Sequence, residues 1–309
     1  MMCIKERNAS DSTCKKLLRD KGCFADLCNY AFFQGRQVIQ PEELVSREND
    51  LSTLIGKVDK PTEIKRYRDV VRKASIHGEY VIIGVEHQST FDEKMIFRIL
   101  NYDATIYINQ VESKQEVYPV GSFVFYTGDK EWKSPETLKE TLKNIPPEME
   151  SYINDWRLPV VELKTMDARK LTNQRLKEVV EISQSMFAGN YDDLRNNRKI
   201  ETESFMMAAT FTRTKIKRED LPEGDEINMC EAMDRLFQRF ENQGMEKGKI
   251  IGFEKGKSDT LKEQLKVKLG TLSRPLEKQL TNTSLEKLNE LTLNIFNVTS
   301  EEDVLRIIN

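Results

Sequence analysis

The stretch RDVVRKASIHGEYVIIGVEHQ, residues 68–88, decides how the chain is read. Valine and isoleucine crowd both halves, and His77-Gly78 interrupts them, the pattern of two strands joined by a tight turn. The spacing predicts strands over Tyr67 to Ala74 and Glu79 to Gln88. The second is apolar almost to its end, as expected of a strand covered on both faces. Its last three residues, Glu86, His87 and Gln88, are polar, so chemistry gathers where this strand leaves the core.

Outward from the hairpin, helical periodicity runs over Ser12 to Phe33 with a weak point at Gly22, and Pro41 opens a short helix with Glu42 and Glu43 in its first turn. Downstream, Phe91 to Glu112 reads as a helix, and Tyr118 to Thr127 and Leu158 to Met166 as two further strands. This is an α/β or α+β domain over residues 1–167 with a central mixed sheet flanked by helices. Beyond Asp167 all periodicity is helical, at Leu171 to Met186, Glu203 to Thr212 and Ile227 to Phe240. A Gly/Lys-rich repeat at 244–260 reads either as a hinge or as a partner-stabilised helix, because glycine weakens a helix by about 1 kcal/mol relative to alanine. It divides a helical extension at 168–243 from a small Leu-rich helical region at 261–309.

The 309 residues carry 48 basic and 51 acidic side chains, a net charge of -3, so any nucleic-acid contact must be local. The longest apolar run, Val81 to Val85, is far short of the roughly 20 residues that span a bilayer. The start, MMCIKERNAS, lacks the apolar core of a signal peptide, and a cytoplasmic location is the expectation. Five cysteines without a CxxC pair read as reduced, mostly buried thiols.

Side chains alternate along a strand, so Glu86 and Gln88 share one face and His87 takes the other. Asp69, on the preceding strand, falls opposite Glu86 or one pair away. Two adjacent carboxylates repel unless a cation lies between them, and hard oxygen donors suit Mg²⁺ or Mn²⁺. Such a metal activates water and stabilises charge on a phosphate. The plainer alternative is that both acids are simply solvated at a strand end. His87, on the opposite face, reads as a hydrogen-bonded histidine under a helix. Lys57 to Lys73 carries seven basic residues against three acidic ones, a candidate phosphate-tracking rim that includes Arg66, Arg68 and Arg72. Lys94, Arg98 and Tyr102 recur at helical spacing on one face of the following helix.

The segments RDV at 68–70 and GVEHQ at 84–88, with the helix carrying Arg98 and Tyr102, resemble the Rpn family of recombination-promoting nucleases, also labelled putative transposases, within the PD-(D/E)xK nuclease superfamily. The likeness extends to KGCFADLCNYAFFQGRQVIQPEEL at 21–44, YPVGSFVFYTGDKEW at 118–132 and MCEAMDRLFQRFENQGMEKG at 229–248. It implies a PD-(D/E)xK-like core followed by an all-helical C-terminal extension. It further implies a Mg²⁺-dependent DNA endonuclease linked to recombination or mobile elements. Asp69 and Glu86 match the family's metal ligands, and Gln88 stands where other superfamily members carry lysine, offering a dipole in place of a charge. A migrated cation would come from Lys94 or Arg98. An acidic residue on the first helix often completes such a site, which makes Asp26, or else Asp20, a candidate. The rival expectation is a catalytically inactive module of the same fold that binds DNA or protein. The Leu-rich C-terminal helices offer a homodimer interface in either case.

Overall fold

The computed structural model describes residues 4–45, 70–114 and 116–308. It divides into two compact units, at 1–234 and 235–309.

In the first unit, helices α1 (Ile4–Arg19) and α2 (Lys21–Phe33) precede the hairpin of β1 (Val70–Ile76) and β2 (Glu79–Gln88). The helical run expected from Ser12 to Phe33 breaks at Asp20, whose extended backbone and carboxylate cap the Cys23 N–H and start a new helix. The turn of the hairpin is His77-Gly78, both with positive φ, which matches the right-handed strand twist. Helix α3 (Met95–Glu112) then crosses to β3 (Val120–Tyr126), and the short α4 (Leu138–Thr141) precedes β4 (Val160–Glu162). The sheet order is β1-β2-β3-β4, with β1 antiparallel to β2 and β2, β3 and β4 parallel. A parallel pair needs a crossover, and α3 supplies it between β2 and β3.

The two faces of the sheet follow the alternation. Ile83, Val85, Phe123, Phe125 and Val161 pack under α1, α2, α5 (Gln174–Ala188) and α6 (Thr202–Thr212). Ile82, Val124 and Tyr126 meet Ile96, Ile99 and Ile106 of α3 on the other face. Residues 168–212, expected to form a separate extension, therefore complete the sheet's core. A two-stranded ladder of β5 (Lys199–Glu201) and β6 (Glu226–Asn228), absent from the sequence reading because each strand has three residues, links α5, α6 and the helix that follows.

That helix, α7, runs from Met229 to Leu269, so the Gly/Lys-rich stretch at 244–260 takes the helical one of its two readings. In the second unit its later residues Leu261 and Leu265 form a core with α8 (Arg274–Thr281), α9 (Leu285–Asn294) and α10 (Glu301–Ile308). Glu301 accepts from the backbone N–H and hydroxyl of Ser273, tying the start of α10 to the start of α8. No helix among the described residues is long and apolar enough to cross a membrane.

Candidate active site

The polar end of β2 lies at the carboxyl edge of the three parallel strands, the edge where open α/β sheets receive their ligands. Glu86 is in register with Val124 and Gln88 with Tyr126, so both side chains share the α3 face. Both residues are only 4% exposed. A buried carboxylate is costly unless charge and hydrogen bonds compensate it. Arg98, one turn into α3, supplies both: its Nη2 donates to Glu86 Oε1 at 2.8 Å while its Nη1 donates to Asp92 Oδ2 at 3.0 Å. Gln88 Nε2 donates to the same Glu86 oxygen at 3.2 Å.

Partial burial alone would lower the pKa of Arg98. A hydrogen bond with Tyr102, the charge of Glu86 and the Asp92 contact outweigh it and hold the guanidinium above its ordinary value. Arg98 is therefore a permanent cation between two acids. Asp92 also accepts from the backbone N–H of Lys94 at 3.0 Å, so it steadies both the helix start and the arginine. The Lys94 side chain is exposed at the N-cap of α3, apart from the paired groups.

Deeper on this face a second acid is buried. Asp103 on α3 accepts from Ser122 Oγ at 2.7 Å, and Ser122 pairs with Gly84, two residues before Glu86. Sequence reasoning missed both Asp92 and Asp103. The signal for Asp103 was available: Ile96, Ile99, Asp103, Ile106 and Gln110 recur at core spacing, with two polar residues among apolar ones.

Other expected positions have different roles. Asp69, Arg66 and Arg68 lie outside the described residues, as does most of the basic run that begins at Lys57. Val70 pairs with Val85, the residue before Glu86. Asp26, considered as a metal ligand, is instead a structural anchor. Its carboxylate accepts from the backbone N–H groups of Thr172 and Asn173, each at 2.9 Å, and from Thr172 Oγ1 and Gln37 Nε2. Four hydrogen bonds match the roughly four lone-pair sites of a carboxylate. Asp20 is a helix cap. Arg72, considered as a DNA contact, turns inward: its Nη2 donates to the carbonyls of Leu18 and Arg19 at the end of α1, and its guanidinium lies over the Phe24 ring. Its neighbour Lys73 is held between the rings of Tyr80 and Tyr118.

His87 takes the opposite face as alternation requires. Its Nδ1 is 2.9 Å from Asp11 Oδ1 and its Nε2 is 2.8 Å from Thr127 Oγ1, so it joins α1 to the end of β3 beneath Phe211. Burial pushes the Cys23 and Cys28 thiols far up, the inert behaviour of core cysteines. Among the described residues no group of three His, Cys, Asp or Glu side chains forms a ready metal cage.

Residues 62–213 match the family model described as "Putative transposase, YhgA-like". No curated protein and no solved structure matches the chain. The matched segment contains the whole four-stranded sheet, α3 and every member of the Glu86 cluster. Through residues 62–213, just under half of its length, the chain is similar to the family described as "Putative transposase, YhgA-like".

Proposed function

We propose that the protein is a Mg²⁺-dependent DNA endonuclease of PD-(D/E)xK type that hydrolyses phosphodiester bonds, as a recombination- or mobile-element-associated enzyme would. The observation that carries this reading is the buried Glu86, on one face with Gln88 and ion-paired to Arg98, at the carboxyl edge of a mixed sheet in the family-matched segment. Burying an acid at a strand edge costs stability, and a structural role alone does not require one there.

The donor chemistry fits a hard divalent cation. Glu86 and Asp69 are carboxylates, the hard oxygen donors that such a cation takes. Asp69 is the covalent neighbour of Val70, and Glu86 of Val85, on paired strands. Glu86 and Asp69 would hold Mg²⁺, or Mn²⁺ in its place. When bound, the metal lowers the pKa of a coordinated water and neutralises phosphate charge.

The chain's own residues do the rest. Arg98 pairs with Glu86 and lends a fixed positive charge to the side of the site where the scissile phosphate would lie. It takes over the electrostatic part that the superfamily's lysine plays and that Gln88 cannot. Gln88 holds the Glu86 rotamer and offers a neutral dipole to water. Asp92 and Tyr102 hold Arg98.

One observation favours a second reading, an inactive DNA- or protein-binding module of the same fold: Arg98 already compensates Glu86 within the chain. The deciding experiment is nicking of supercoiled plasmid with Mg²⁺, Mn²⁺ or EDTA by the wild type, Glu86→Gln and Asp69→Asn. Metal-dependent nicking lost in both folded variants supports the nuclease. A folded wild type that retains DNA in a gel shift but cuts with no metal establishes the binding module.

A further inference from the structure

Beside the Glu86 cluster stands an aromatic shelf that the hydrolytic reading does not use. Tyr126 closes β3 in register with Gln88. Its ring meets Trp132 edge-on, with centroids 5.1 Å apart, and Trp132 meets Phe91 in the same way at 5.2 Å. The three rings come from the carboxyl ends of adjacent parallel strands: Tyr126 from β3, Trp132 from the loop after it, and Phe91 from the loop after β2.

The shelf is fastened at both ends, at one of them to the acidic site. The Trp132 backbone N–H donates to Glu162 Oε2, at the end of β4. Phe91 directly precedes Asp92, whose carboxylate holds Arg98. The outer ring is nevertheless open to solvent, since Phe91 is 42% exposed. An aromatic side chain left that open, with its inner neighbour packed on a buried tyrosine, forgoes burial worth about 1 kcal/mol or more. A solvent-facing ring next in sequence to the acid that holds a fixed arginine offers the kind of pairing that single-stranded nucleic-acid sites use, with the ring stacking a base and a cation meeting the phosphate.

We propose that Phe91, backed by Trp132, stacks a nucleobase of the DNA next to the scissile phosphate, so that the preferred substrate is single-stranded or locally unstacked DNA. The proposal rests on the DNA-cleaving reading for its choice of ligand. Stacked duplex bases hide their faces from a ring at this edge, whereas a splayed base presents its π-face at little further cost. Base stacking tolerates any sequence, so the shelf selects the state of the strand and not its letters.

The test uses the full chain in EDTA, where no metal-dependent cutting occurs and binding is read by itself. The ligands are a fluorescent single-stranded oligonucleotide, the same strand with one abasic position, and the corresponding duplex. Each is titrated against the wild type, Phe91→Ala and Phe91→Tyr. Stacking worth 1–3 kcal/mol per base corresponds to a loss of about fivefold to 150-fold. Phe91→Ala is expected to weaken single-strand binding about tenfold and to leave duplex binding within about twofold, with Phe91→Tyr restoring it. The abasic strand should bind the wild type more weakly than the intact strand, and the two should become nearly equal for Phe91→Ala. In a Trp156→Phe background, Trp132 emission should fall as the single strand is added. Equal binding of intact and abasic strands by wild type and Phe91→Ala, or a Trp132 signal that ignores DNA, overturns the shelf. Base-dependent binding without cleavage in Mg²⁺ keeps the shelf and removes the nuclease. Absence of all DNA binding removes both.

Discussion

Arg98 and Glu86 form a 2.8 Å ion pair in which the carboxylate is buried and the guanidinium is shared with Asp92. An arginine between two acids cannot lose its proton near neutral pH, so a fixed positive charge stands beside the buried Glu86 carboxyl. The site thus carries its own counter-charge, and what Arg98 does can be separated experimentally from what Glu86 does.

Replacing Arg98 by Gln should cost both stability and activity, since it leaves Glu86 buried beside a neutral amide. Removing one partner of a buried pair is strongly destabilising, and with half of this pair solvated the expected loss is about 1–3 kcal/mol in urea unfolding. Arg98→Lys keeps the charge but cannot bridge Glu86 and Asp92 together, so the melting temperature should recover further than plasmid nicking does. Nicking unchanged in Arg98→Gln would show that the arginine has no part in the chemistry.

Asp26→Asn separates a structural carboxylate from a metal ligand. The two backbone N–H groups of Thr172 and Asn173 lose a charged acceptor, and unfolding stability should fall by about 2 kcal/mol. The Mg²⁺ concentration needed for half-maximal nicking should not change. A shift in that concentration without a loss of stability would return Asp26 to the metal site.

His87→Leu should destabilise the first unit by about 1–3 kcal/mol, because Asp11 and Thr127 lose a shared partner in a partly or fully buried setting. Nicking per folded molecule should persist, since the ring faces away from Glu86. Complete loss of nicking in a variant of native stability would contradict that placement.

Gly128→Ala tests the support of the aromatic shelf. A Cβ at this glycine would collide with the Tyr126 ring, and overpacking of this kind costs about 1–3 kcal/mol. Thermal unfolding should show that loss, together with a changed Trp132 emission maximum. Wild-type values in both measurements would mean that the loop over Tyr126 yields freely.

Alkaline pH should weaken the first unit. Burial, the largest cause, raises the Cys23 and Cys28 thiols above their ordinary value of 9.0, so the folded state keeps protons that the unfolded chain releases. Their contribution is fully present below about pH 9 and declines as pH rises from there toward the folded values. Urea midpoints between pH 8 and pH 10.5 should fall, and less steeply in Cys28→Ala once its own lower stability is subtracted. At pH 8 a thiol reagent should leave Cys14, Cys23 and Cys28 unmodified in the folded protein.

Much of this was legible from local pattern. The hairpin turn at His77-Gly78, β2 from Glu79 to Gln88 and the opposite facing of Glu86 and His87 are consequences of period-two alternation and of a turn that needs two positive φ angles. Helix α3, its Arg98-Tyr102 face and the Leu-rich core of the second unit follow from helical spacing in the same way. These features depend on neighbours within a few residues, which is the range over which a sequence speaks for itself.

Tertiary structure decided what distance along the chain conceals. Asp26 and Thr172 are 146 residues apart, and only the packing of α2 against α5 shows that a candidate ligand is an anchor. Arg72 left the basic rim because the carbonyls at the end of α1 lie within its reach, 54 residues away in sequence. Asp92, Asp103 and the Phe91-Trp132-Tyr126 shelf emerged for the same reason: their partners come from different strands and loops. Periodicity settles which face a side chain takes, but the identity of the group it meets there is set by long-range packing of elements whose order along the chain carries no such information.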